Sequence, residues 1–151
     1  MPLIDDTTDY RVDGERPDAT PVERLRARLE AVELSIILAL PYPPTINHYY
    51  QRGKAGRLSV GARGIEYRQQ VRTLLMCRRI QPVAGIVGIA VLAYPPDRRK
   101  RDADNLWKCL LDSLTHGGLW EDDSIVTCQG IIMDDPRANG GGLTVQVWKT
   151  T

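Results

Sequence analysis

The chain has 151 residues, 42% of them hydrophobic, and a net charge of +1, which provides for one ordinary core and favours one domain over two. Cys77, Cys109 and Cys128 are odd in number and lack any C-x-x-C spacing, so neither a disulfide framework nor a zinc ribbon is supported, and reduced, buried thiols are expected. The longest apolar run, Leu34 to Leu40, is too short to span a bilayer and follows Glu33 rather than a basic leader, so a cytoplasmic protein with no membrane partner is expected.

The small net charge conceals an asymmetry. Residues 1–33 carry nine acidic and five basic side chains, which leaves residues 34–151 at a net of +5. Residues 1–33 therefore read as an acidic, loosely ordered extension. Within it, Thr20 can cap a short helix through about Glu30, with Pro21 at the first helical position and Glu23 completing a capping box. Leu34 to Leu40 is a buried strand stopped by Pro41, and an irregular loop follows to Thr45.

From Ile46 to Arg57 the composition predicts an exposed, basic loop. Ser59 is placed to cap a helix running to about Arg78, with Ile65, Val71, Leu74 and Leu75 as its apolar stripe. Between Gln51 and Arg79, eight basic residues face a single acid, Glu66, and such one-sign density attracts polyanions. Val83 to Tyr94 is β-branched and nearly uncharged, as a central strand would be, and Pro95-Pro96 ends it.

The strip Asp97-Arg98-Arg99-Lys100-Arg101-Asp102-Ala103-Asp104-Asn105 then sets four cations beside two carboxylates one residue apart. Asp102 or Asp104 can cap a helix to about Thr115, because Leu106, Leu110 and Leu114 recur every four residues before Gly117-Gly118. Strands are expected at Ser124 to Met133 and Gly142 to Lys149. The sum is a single compact α/β (α+β) domain over residues 34–151, a mixed sheet of about four strands packed with two main helices.

Paired carboxylates at a helix entrance repel each other unless a cation intervenes. A divalent ion would relieve that repulsion, lower the pKa of a water and stabilise charge on a phosphate, while the neighbouring cations hold the polyanion. A bare D-x-D is weak on its own, since capping by one aspartate is its ordinary role. Lys108 lies one helical turn after Asp104, in reach of a phosphate, although an i,i+4 surface ion pair is the plainer role for it. Asp122 and Asp123 can return to the same end as a third carboxylate, or simply form a turn. Tyr49, Tyr50 and Tyr94 sit near loops and could stack on unpaired bases or pack in the core. Trp107 and Trp120 read as structural, and His48 and His116 as surface residues.

Several separated blocks together carry a resemblance: Leu40-Pro41-Tyr42-Pro43-Pro44-Thr45-Ile46-Asn47 with Tyr49-Tyr50, then Pro96 to Lys108, Asp112-Ser113-Leu114, and Gly118-Leu119-Trp120-Glu121-Asp122-Asp123. In order and spacing they resemble the RusA family of Holliday-junction resolvases, homodimeric Mg²⁺-dependent endonucleases common in prophages. The resemblance implies catalytic, metal-holding aspartates at Asp102, Asp104 and Asp123 and an essential lysine at Lys108, with Asn105 and Asp122 in support. It implies one or two Mg²⁺ ions per site, with Mn²⁺ as a substitute, and four-way or branched DNA as the partner. Arg52, Lys54, Arg57, Arg98, Arg99, Lys100 and Arg101 are then the expected phosphate grips, which position DNA without reading its sequence. Residues 1–33 have no counterpart in the family pattern, and Lys100 replaces what is often an arginine. Two other functions compete: a junction-binding architectural protein that does not cut, and a phosphatase or phosphotransferase with an aspartyl nucleophile.

Overall fold

The computed structural model describes residues 19, 20, 23 and 35–150. These fall in two units, Met1–Ala31 and Val32–Thr151. In the first, the Thr20 backbone N–H donates to Glu23 Oε2 at 2.7 Å and the Glu23 N–H to Thr20 Oγ1 at 3.2 Å. These are the reciprocal bonds of the expected capping box. The rest of the helix expected to Glu30 lies outside the described residues.

The second unit is built on a four-stranded mixed sheet in the order β1-β6-β4-β5. Its strands are β1 (Ser35–Leu40), β4 (Val87–Tyr94), β5 (Val126–Met133) and β6 (Gly142–Lys149). β6 runs antiparallel to both β1 and β4, whereas β4 and β5 are parallel. A parallel pair needs a crossover, and α3 (Ala103–Gly117) supplies it. All eight residues of β4 are buried, which explains its unbroken apolar sequence. Leu38, Leu40, Ile89, Val91, Val145 and Val147 join Leu106, Leu110 and Leu114 of α3 and Val71 and Leu75 of α2 (Ala62–Cys77) in one core.

Of the two caps the sequence offers α3, Asp102 and Asp104, the helix uses Asp102, and it runs to Gly117, just past the expected Thr115. Asp102 is the N-cap, accepting from the Asp104 N–H at 3.1 Å through Oδ1, a bond of the kind worth about 1 kcal/mol. Gly118 closes the helix in the left-handed region at φ 86°, where an L side chain would be strained. Trp120 is buried and donates its indole N–H to Thr115 Oγ1 at 2.8 Å, and Trp107 is half-buried, so both tryptophans are structural.

Several expectations are corrected. Residues 46–57 form a short helix, α1 (Ile46–Tyr49), and the first strand and turn of an antiparallel hairpin of β2 (Tyr50–Arg52) and β3 (Leu58–Val60). Three-residue strands leave no period to read. What holds them is cross-strand pairing and the bond from the Gly61 N–H to the Tyr49 carbonyl at 2.8 Å. Ser59 therefore lies in β3 and donates to the Gln51 carbonyl, while Gly61 caps α2 without a side-chain bond. Ile65 is half exposed, and the buried stripe of α2 is Gly64, Tyr67, Val71 and Leu75. Gly64 is there because a Cβ would collide with the Tyr49 carbonyl oxygen, so only glycine lets α2 approach α1 this closely. β4 starts at Val87 rather than Val83, after a turn at Gly85 with φ 89°. Ser124 belongs to a 3₁₀ turn, Asp123–Ile125, that precedes β5. Only Cys109 is a buried thiol, Cys77 and Cys128 being exposed. No helix among the described residues is long and apolar enough to cross a membrane.

Candidate active site

α3 is the axis of the site, and three hollows lie along it. At its entrance, Asp102 and Asn105 line the first with Lys100, Arg101, Tyr42 and Thr45. Midway, Lys108 lines the second with Asn47, Tyr50, Arg52 and Leu58. Ile46 of α1 borders both. Toward its C-terminal end, Asp112, Thr115 and His116 face Asp122, Asp123 and Arg68 in the third. Asp104, Lys108 and Asp112 follow one another at four-residue spacing, so they form one row along the helix about 12 Å long.

At the entrance the two aspartates are exposed. Lys108 makes no ion pair with Asp104 or any other described residue; its Nζ sits 4.9 Å from the centroid of the Tyr50 ring. An exposed cation–π contact of this kind is worth only about 0.5–1 kcal/mol, so the ammonium is easily drawn to an anion.

At the far end, burial pushes the Asp112 carboxyl up and the charge on Asp123 adds to the shift. The Asp122 carboxyl is lowered by hydrogen bonds from Ser124, whose N–H donates to Asp122 Oδ1 at 2.8 Å. Arg68 donates to the Tyr49 hydroxyl at 2.8 Å, and that hydroxyl meets Ser113 Oγ at 2.8 Å. Arg68 is thus tied to the core beside the acids instead of projecting freely.

The structure brings Asp102 and Asp104 together, and brings Asp123 beside Asp122 and Asp112. It does not draw Asp102, Asp104 and Asp123 into one cage: among the described residues no three His, Cys, Asp or Glu side chains stand close enough to share a metal ion. The donors are nonetheless all hard carboxylate oxygens, and Mg²⁺ is ordinarily held by one or two carboxylates with waters and substrate phosphates. Each end of α3 therefore suits such an ion chemically, without a complete protein cage. Asp112 was legible in the sequence only as part of a family block. Its position four residues beyond Lys108 placed it in the row, and nothing local indicated that Asp123 would face it.

The expected phosphate grips divide. Arg98, Arg99 and Lys100 are exposed. Arg101 is committed: its Nη1 meets Asp97 Oδ1 at 2.8 Å and also donates to the carbonyls of Asp97 and Arg99, and its guanidinium lies 5.6 Å from the Tyr42 ring centroid. Arg52, Lys54 and Arg57 stand exposed on the β2–β3 hairpin. Of the three tyrosines expected near loops, Tyr49 is wholly buried and Tyr94 nearly so, whereas Tyr50 borders the middle hollow. His48 and His116 are both exposed, His48 meeting Thr45 Oγ1 at 2.9 Å.

Comparison with known proteins supplies the remaining findings. The family profile described as endodeoxyribonuclease RusA matches residues 41–147. A protein of Escherichia coli strain K12 named crossover junction endodeoxyribonuclease RusA is 36% identical over 111 residues, 73% of this chain and 91% of its own length. Proteins of the same name from Shigella sonnei and Enterobacteria phage 82 are each 35% identical over the same extents.

Proposed function

This chain belongs to the RusA family, and from that premise we propose that it is a crossover junction endodeoxyribonuclease, which resolves four-way DNA junctions by paired nicking of phosphodiesters. The observation that supports this reading most directly is the row on α3. Asp104, Lys108 and Asp112 stand at successive turns, with Asp102 at the cap and Asp123 beside the far end, and basic segments border the entrance and the middle.

Asp102 and Asp104 at one end, and Asp123 supported by Asp122 and Asp112 at the other, are the residues that would hold one or two Mg²⁺ ions, with Mn²⁺ as a substitute. Such an ion would supply charge stabilisation on the phosphate and a water of lowered pKa. Lys108 leaves the Tyr50 ring for the scissile phosphate, where a cation is worth most as negative charge develops. Asn105 supports the entrance pair. Arg52, Lys54 and Arg57 on the hairpin and Arg98, Arg99 and Lys100 on the strip hold the arms through their phosphates. A junction offers two strands for symmetric nicking, so a homodimer with one site per subunit matches it. The site of action is the cytoplasm.

The test is cleavage of a labelled synthetic four-way junction with Mg²⁺ and with chelator, beside a linear duplex of the same sequence and the Asp104→Asn protein. Paired nicks restricted to the junction, the metal and intact Asp104 are expected. Junction binding without nicks under any divalent ion would instead make the protein an architectural binder.

A further inference from the structure

The middle hollow has a composition that phosphate binding does not account for. It encloses about 580 Å³, within the range of small-ligand sites. Cations lie on its border, Arg52 and Lys108, but Ile46, the carboxamide of Asn47, Tyr50 and Leu58 also line it, with Gln51 at its edge, the side chain of Gln51 packing against Gly61. Leu58 is 57% exposed, on a hairpin whose neighbouring positions are polar or basic. The pairing of β2 with β3 sets Leu58 directly opposite Arg52. The Tyr50 hydroxyl is buried with no hydrogen-bond partner among the described residues.

A flat group with an apolar face, hydrogen-bonding edges and flanking negative charge would satisfy all of these features together. Carboxamides carry both donors and acceptors and so can pair with a base edge, which a lysine or arginine holding a phosphate does not do. An aromatic ring and an exposed leucine supply the apolar surfaces against which an unstacked base is held.

We infer that this hollow receives one unpaired nucleobase at the junction crossover, held between Leu58 and the Tyr50 ring and read at its edge by Asn47, while Arg52 and Lys108 contact the adjoining phosphates. The inference rests on the junction-nuclease reading and adds base recognition to it. Because the hollow adjoins Lys108, the base it holds lies next to the phosphate that this lysine serves, and so influences which bond is cut.

The experiment measures binding of the full chain to four-way junctions in chelator, by fluorescence anisotropy, with each nucleotide within two of the crossover replaced in turn by an abasic site. An abasic site at one position is expected to weaken binding roughly tenfold, as for loss of one base stacked on an aromatic ring. In Asn47→Ala and Leu58→Ala proteins, both altered at exposed positions, that penalty should fall below twofold. The inference is overturned if no position matters to the unaltered protein, or if the penalty survives in both variants. It also falls if Leu58→Ala turns a dimer into a monomer in sedimentation, since the hollow then belongs to a second copy. Nicking of intact junctions without any abasic effect would remove the base pocket and leave the nuclease, whereas an abasic effect without nicking would do the reverse.

Discussion

The basic strip before α3 and the β2–β3 hairpin carry similar cations, yet their side chains are engaged very differently. In the strip, Asp97 gathers the loop: it takes Arg101 Nη1 at 2.8 Å, accepts from the Arg99 N–H at 2.9 Å and lies 3.9 Å from the Arg99 guanidinium. On the hairpin, Arg52, Lys54 and Arg57 make no ion pair among the described residues. One carboxylate four residues before Arg101 is enough to make that cation a brace for the loop that leads to Asp102. Charge density therefore predicts a polyanion surface, while partner carboxylates decide which of its cations are available to bind.

The sharpest way to test the division of labour is at the acids, where no cation can substitute. Asp104→Asn should reduce nicking by about 10³-fold or more, a loss of the order seen when a principal transition-state stabiliser is removed, and should leave junction affinity equal or tighter because a repulsive carboxylate is gone. Wild-type nicking by this protein would remove Asp104 from the site. Lys108→Ala should lower the single-turnover rate by about 10²-fold while changing the dissociation constant only a few-fold. A proportional fall in both would make Lys108 one more phosphate grip.

The hairpin and the strip can then be set against each other. Replacing Arg52, Lys54 and Arg57 together by alanine should flatten the dependence of log affinity on log salt by about 2 to 3, since each phosphate contact on duplex DNA contributes about 0.9. Arg101→Ala should leave that slope nearly unchanged and lower the melting temperature instead, because its guanidinium is spent on Asp97, two backbone carbonyls and Tyr42. The reverse pattern would overturn the comparison.

The smallest effect belongs to Asp97. Its carboxyl is held at about 2, against an ordinary 3.8, by the Arg101 side chain first and the Arg99 backbone N–H second. A depressed carboxyl stabilises the fold above its unfolded pKa and loses that contribution as pH falls through the folded one. Asp97→Asn should therefore melt slightly below the unaltered protein at pH 7, with the gap closing between about pH 4 and pH 2. A gap that persists at pH 2 would show that geometry rather than charge is responsible.

The sequence by itself determined the parts whose signals are local. A cap at Asp102 or Asp104, the four-residue leucine spacing and Gly117-Gly118 marked out α3, because caps and helical stripes are satisfied within a few residues. Pro41 and Pro95-Pro96 ended β1 and β4 because proline cannot continue a ladder. β6 likewise has the bounds expected for it, Gly142 to Lys149. The family blocks carried the membership of the RusA family, as residue types in order.

Only the tertiary structure decided the rest, because it depends on partners distant in sequence or hidden in orientation. The hairpin exists through the pairing of Tyr50 with Val60 and Arg52 with Leu58 and through the seat that Gly64 provides against Tyr49. The engagement of Arg101 with Asp97 depends on how the loop folds back on itself. The facing of Asp112 and Asp123, and the placement of Lys108 over Tyr50 rather than beside Asp104, follow from how the 3₁₀ turn and the hairpin pack against α3. A chain can announce its own helix ends, but the orientation of a charged side chain is settled by whichever distant group meets it after folding.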